Sequence, residues 1–181
     1  MRLAPVALVH WPDRAKLARL ASRQSITTHA APEAVSACVA FANVLADAFE
    51  GKPRHEVLRP RGGDYAAKIA SIMAGCWLGK PRTAIKSTGY VAHSLDAALW
   101  AVHQTHEFRS AVLLAANLGG DADTTAAITG QLAGALYGLS AIPAHWLAKL
   151  AWRERIISLG QRLFELSLAH HQHDIQGLDA V

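Results

Sequence analysis

The sequence predicts an all-α protein, and three observations lead there. Apolar residues recur at helical spacing in most segments of the 181-residue chain. No segment shows the strict alternation of β-branched residues that marks a strand. Alanine, the best helix former, dominates the segments on both sides of a short Gly-Asp turn. A hydrophobic content of 51% with 18% charged residues describes one soluble globular domain over residues 1–181. The net charge of +4 is spread along the chain and forms no basic arm, so no nucleic-acid partner is expected. Cys38 and Cys76 stand apart with no Cys-x-x-Cys pair, so neither a disulfide framework nor a zinc site is expected. No signal-peptide pattern opens the chain, and a cytoplasmic location is expected.

Residues 3–11 predict a short helix that tolerates Pro5 in its first turn. Residues 13–23 predict a basic, half-exposed helix, because Leu17, Leu20 and Ala21 share a face away from Arg14, Lys16, Arg19 and Arg23. Pro32 and Glu33 signal the start of a longer helix reaching residue 49 through Val35, Cys38, Val39, Ala42, Leu45 and Ala46. Residues 50–63, rich in Pro, Gly and Arg, read as a loop. A helix over 64–78 places Ile69, Ile72, Met73 and Cys76 on one face, and 79–89 read as a solvated irregular stretch. Ser94 is suited to cap a helix over 94–103 with Asp96 in its first turn and Leu95, Ala98, Leu99 and Val102 inward. Residues 107–118 predict the helix that leads into Gly119-Gly120-Asp121-Ala122-Asp123-Thr124-Thr125.

The following helix, 124–138, carries Gly130, Gly134 and Gly138 in one row. An interior glycine costs about 1 kcal/mol relative to alanine, so the row predicts a closely approaching neighbour and a central, buried position. Gly-x-x-x-Gly in an apolar stretch also suits a membrane dimer face. Thr124, Thr125, Thr129, Gln131 and the two leading aspartates argue against a span, and no membrane partner is expected. Residues 143–152 predict a short amphipathic helix. Residues 153–170 predict a longer one with Ile156, Leu159, Leu163, Leu166 and Ser167 inward, followed by a frayed tail whose His170, His171 and His173 bind metal at most adventitiously.

The Gly-Asp turn is where carboxylates, a hydroxyl and flexible backbone converge, and its residues admit two readings. Asp121 can be an N-cap and Asp123 a first-turn acid that complements the helix dipole. Alternatively, Asp121, Asp123 and Thr124 offer oxygens to a hard cation such as magnesium or manganese, since zinc or copper would call for sulfur or imidazole. His29 and Tyr90 likewise read as a surface residue and a packing aromatic, or as contacts to a ligand.

The segment GGDADTTAAITGQLAGALYG resembles the C-terminal metal-binding motif of the ADP-ribosylglycohydrolase family. Residues 89–100, GYVAHSLDAALW, resemble a second family stretch. Met1-Arg2-x-x-Pro5 and Thr28-His29-x-x-Pro32-Glu33-Ala34 are similar to two more, all in family order across nearly the whole chain. The likeness is to the dinitrogenase-reductase-activating glycohydrolase type. It implies a compact orthogonal helical bundle from which the N-terminal part of the family fold is missing, because a Gly-Asp-Ala motif and a Thr-Asp-Asp-Thr cluster have no counterpart here. It also implies hydrolysis of a glycosidic bond in an ADP-ribosylated protein or ADP-ribosyl small molecule. Asp121, Asp123 and Thr124 would hold Mg2+ or Mn2+, two ions in the complete site, and His29, Gly89, Tyr90, Gly119 and Gly120 would meet substrate. The catalytic acid is expected in the missing N-terminal half, itself a further partner, while Glu33 and Asp96 are expected to be helix-start residues. The resemblance places Asp121 and Asp123 beside a cleft that His29 and Tyr90 also line. A non-catalytic ADP-ribose or nucleotide-binding module and a helical interaction protein stand as alternatives.

Overall fold

In the computed structural model the backbone is described for residues 1–178 and the side chains for residues 1–169, and no strand occurs among them. The elements in chain order are α1 (Ala4–His10), α2 (Arg14–Ile26), α3 (Pro32–Phe49), α4 (Arg54–Val57), α5 (Ala67–Met73), α6 (Val91–His103), α7 (Phe108–Ala116), α8 (Ala122–Tyr137), α9 (Ala144–Leu147) and α10 (Arg153–Leu178). Short 3-10 turns lie at Arg82–Ala84 and Leu139–Ala141.

Small side chains let helices approach closely, and the bundle is centred on the two helices richest in buried alanine. In α3, Ala37, Ala40, Phe41, Val44 and Leu45 are buried, and in α6 Ala92, Leu95, Ala97, Leu99 and Val102 are buried against them. Helix α3 is long and apolar enough to cross a membrane by length and composition, yet half of it is buried inside the bundle. Pro32 opens α3, as its sequence signal predicted, and Asp13 caps α2 by accepting a bond from the Lys16 amide at 2.9 Å. The glycine-bearing helix α8 packs on α7, α6 and α3, in line with its expected central position, and only Asp123 and Ala127 along it are exposed. Thr125, Thr129, Leu132 and Ala133 are its fully buried residues. A Cβ built on Gly130 would stand 3.8 Å from Val112 and one on Gly134 3.9 Å from Phe108, which is ordinary contact with α7. The neighbour that the glycine row predicted is therefore α7, but it leaves room for alanine.

Residues 50–63 do more than loop. Arg54, in α4, donates to the carbonyls of Val102, His103 and Thr105 at 2.9, 2.6 and 2.8 Å and so satisfies the C-terminal end of α6. Asp47 gathers Arg14 at 3.0 Å, Lys52 at 2.7 Å and Arg61, which ties α2, α3 and this segment together. The start of α6 falls three residues before the expected Ser94 cap. Ser94 instead donates back to the Thr88 and Tyr90 carbonyls from a buried position, and Asp96 lies one turn inside, paired with Lys80 at 2.9 Å. Helix α5 is shorter than expected, because Gly75 breaks the chain at φ +92°.

Helix α10 packs chiefly on α1. Of its five expected inward residues Ser167 is buried and Leu163 half-buried, while Ile156, Leu159 and Leu166 are exposed. A seven-residue helix spans about 10 Å and cannot cover one of 26 residues, about 39 Å long. The backbone of α10 continues to Leu178 rather than fraying at residue 170, and the side chains of His170, His171 and His173 lie outside the described residues.

Candidate functional site

The end of α7, the Gly-Asp turn and the segment before α6 are laid across one another by backbone bonding. The Asp121 amide donates to the Ser87 carbonyl at 3.1 Å, and Arg82 donates to the Asn117 carbonyl. Beneath them the Ser87 and Thr125 hydroxyls share a buried bond of 2.9 Å, and Thr129 donates to the Thr125 carbonyl at 2.8 Å. This crossing explains the double glycine. Gly119 and Gly120 have φ of +78° and +60°, and a Cβ on Gly120 would lie 2.0 Å from the Ser87 oxygen. Only glycine lets the two strands of chain meet there.

The crossing sets Gly89 against Asp121, where a Cβ on Gly89 would lie 3.7 Å from the Asp121 Oδ2. A cleft of about 310 Å³ opens in front of this pair. Asp121 and Thr124 line it from the start of α8, Gly89 and Ser94 from the start of α6, and Thr28 and His29 from the turn after α2. Asp121 occupies the N-cap position of α8, yet its carboxylate makes no capping bond. The capping account of Asp121 thus fails on geometry, and its oxygens are left for the cleft. Asp123, in the first turn, is exposed and is not among the cleft-lining residues.

His29 is anchored to its turn. Its amide donates to the Ser25 carbonyl at 2.7 Å, its Nδ1 hydrogen-bonds the Thr28 hydroxyl at 2.9 Å, and Ser25 donates to its carbonyl at 2.9 Å. Arg2 also reaches the Thr28 hydroxyl, at 2.7 Å, so a guanidinium stands on the cleft wall beside the histidine. Arg2 and Thr28 belong to segments that sequence reading singled out, but neither was assigned a role. Thr28 stands one step from His29, and Arg2 is the one charged residue of the Met-Arg-x-x-Pro stretch.

Tyr90 is turned away from these residues. Its hydroxyl donates to Glu33, its ring meets His93 edge-on at 5.0 Å, and the Lys68 ammonium lies 4.8 Å over its face. It is not among the cleft-lining residues, although its neighbour Gly89 is. Burial, then the nearby Lys86 and Lys68 ammonium groups, lower the His93 pKa below its usual 6.5. Among the described residues no three His, Cys, Asp or Glu side chains form a group able to hold a metal ion. Among the cleft-lining residues the Asp121 carboxylate and the Thr124 hydroxyl, both at the start of α8, offer oxygens to a hard cation.

Comparison with known proteins identifies the family of the chain. The sequence matches the ADP-ribosylglycohydrolase family over residues 1–172. It is 41% identical over 167 residues to the ADP-ribosylarginine hydrolase Tri1 of Serratia proteamaculans, covering 92% of this chain and 46% of that protein. It is 31% identical over 152 residues to the ADP-ribosyl-[dinitrogen reductase] glycohydrolase of Rhodospirillum rubrum, covering 83% of this chain and 49% of that protein. A solved structure described as an ADP-ribosylglycohydrolase-related protein complex superposes with a TM-score of 0.85 at 40% identity, covering 92% of this chain and 59% of that one. The chain thus spans about half the length of the curated relatives it matches. With its all-helical fold shared at that level and the family match running almost end to end, this chain belongs to the ADP-ribosylglycohydrolase family.

Proposed function

We propose that this chain forms one side of the active cleft of a hydrolase that removes ADP-ribose from modified protein side chains, with arginine the leading candidate from its relatives. The observation that carries the reading is the uncapped Asp121 carboxylate beside Gly89 and Thr124 in a cleft large enough for part of a nucleotide. Two carboxylates and a hydroxyl, all oxygen, fit a hard divalent ion such as Mg2+ or Mn2+, and Asp121, Asp123 and Thr124 would hold it. When bound, such an ion would orient ribose hydroxyls and water at the anomeric carbon. Gly89 would admit the sugar close to the backbone, whereas Gly119 and Gly120, expected to meet substrate, are absent from the cleft lining and the space beside Gly120 is filled by the Ser87 carbonyl. Arg2 and His29 would supply donors to the diphosphate.

Hydrolysis adds water across the anomeric C–N or C–O bond, and the leaving group must take up a proton. Glu33 is engaged by Tyr90 and Asp96 by Lys80, so neither is free to manage that proton. A carboxylate from beyond this chain would do so. The incomplete ligand set also supports a second reading, a binding module for ADP-ribose without turnover. The uncapped Asp121 weighs against a purely helical interaction protein.

Calorimetric titration with Mg2+ and Mn2+ tests this, together with release of ADP-ribose from an ADP-ribosylated arginine peptide. We expect weak binding of one ion, abolished in Asp121→Asn, and negligible turnover by the chain alone, because three ligands leave about half of a six-oxygen shell to water. Tight binding of two ions, or turnover lost in Asp123→Ala, would show a self-sufficient enzyme. No binding at millimolar metal would remove the metal site.

A further inference from the structure

Helix α10 carries more apolar surface than anything in this chain covers. At 100° per residue its apolar residues span an arc of about 200°. Helix α1 covers the middle of that arc, where Gly160 and Leu163 are half-buried and Ser167 is buried and accepts a bond from the Trp11 indole at 3.1 Å. Both flanks are largely bare, although Ile157 on one of them is half-buried. Leu159 and Leu166 lie exposed along one, Phe164 and Leu168 along the other, and Ile156 beyond the reach of α1. Isolated apolar residues on a surface carry no message, whereas a continuous band along one helix does.

Next to the Leu159 and Leu166 flank run Arg155 and Arg162, at positions i, i+4, i+7 and i+11 of one helical row with the two leucines. Neither arginine has an ion-pair partner among the described residues. A matching surface would be apolar, with carboxylates along one edge. The matched relatives contain about as much chain again as this one, since the match covers 46% and 49% of their lengths. In the superposed structure 59% of that chain is matched, so it too carries further polypeptide outside the part shared with this bundle.

We infer that α10, with the outer side of α1, is the seat for the remaining segment of the ADP-ribosylglycohydrolase fold, presenting an apolar face edged with carboxylates. A second copy of this chain fits less well, because it would set Arg155 and Arg162 against the same two arginines at a self-paired α10. The position suits the cleft. The residues just before α1, Arg2 and Leu3, line the cleft, while Trp11 at its far end holds α10, and seven helical residues separate them by only about 10 Å. A segment resting on α10 and α1 therefore stands at the cleft rim. The inference rests on family membership and not on the hydrolase reading.

The test is to express the part of the Serratia proteamaculans relative that this chain does not match as a separate polypeptide, mix it with this chain and follow sedimentation velocity. We expect a one-to-one complex that weakens at least tenfold in Leu159→Lys with Leu166→Lys. Weakening is also expected in Arg155→Glu with Arg162→Glu. Circular dichroism of each variant verifies that it is folded, and a milder Leu159→Ala with Leu166→Ala pair replaces the first if it is not. Failure to form the complex, a complex indifferent to these substitutions, or a self-dimer sensitive to them would overturn the inference. Neither metal binding nor turnover enters the readout, so its failure is distinguishable from failure of the proposed activity.

Discussion

Two adjacent glycines that look equivalent in sequence carry different constraints. At Gly119 the only demand is its φ of +78°, with nothing within 4 Å of an added Cβ. Alanine there should cost about 1 kcal/mol, the left-handed penalty alone. At Gly120 the same penalty is joined by overlap with the Ser87 carbonyl, a backbone atom that cannot rotate aside. Gly120→Ala should therefore cost at least about 2–3 kcal/mol, and it should push the segment carrying Gly89 away from Asp121. Urea denaturation of both variants measures the difference, and equal losses would deny the crossing. The turn itself was legible from Gly-Gly followed by Asp. The reason for the second glycine was not, because Ser87 lies 33 positions upstream and nothing local marks their meeting. Asp121 illustrates the same limit, since a carboxylate preceding a helix reads equally as a cap or as a ligand until the capping bond is looked for.

At the scale of elements, the apolar period located most of the helices and overstated the burial of α10, whose Ile156, Leu159 and Leu166 are exposed. The row of glycines in α8 predicts close backbone contact. Val112 and Phe108 on α7 instead leave room for a methyl group. Gly134→Ala should accordingly stabilise the chain by about 0.5–1 kcal/mol through helix propensity, with Gly130→Ala close behind. A rise in urea midpoint at unchanged slope checks this, while a fall would restore the close-contact reading. The Pro- and Gly-rich stretch over 50–63 hid α4 for a different reason. Its four residues are too few for a period to register, and what holds them is Arg54 bonding to the end of a distant helix. Ser94 satisfied every local rule for a cap, but the chain turns helical at Val91, and the hydroxyl bonds back to Thr88 and Tyr90.

At the scale of the whole molecule, the ion cluster at Asp47 links α2, α3 and the 50–63 segment. Its effect on stability has a definite sign. Burial alone would raise the Asp47 pKa, but Lys52, Arg61 and Arg14 outweigh it and hold the carboxyl below its usual 3.8, and Lys52 and Arg14 likewise lower Glu50. A carboxyl whose pKa is lower folded than unfolded lends stability above the unfolded value, and this is lost as pH falls through the folded value. Melting temperature should thus drop as pH falls below about 4. Asp47→Asn should be less stable than the parent at pH 7, with the gap narrowing at pH 3. A gap constant with pH would show that the cations act on Asp47 by packing alone. The helical class, the extent of most helices and the family motifs were all written locally, in periodicity, proline starts and the Gly-Asp turn, because each depends on residues a few positions apart. The layering of α3 and α6 over α8, the turning of Tyr90 toward Glu33, the cleft between Asp121, Gly89 and His29, and the largely bare flanks of α10 were decided by tertiary structure. They depend on which distant surfaces meet, and on how much surface the neighbours can cover.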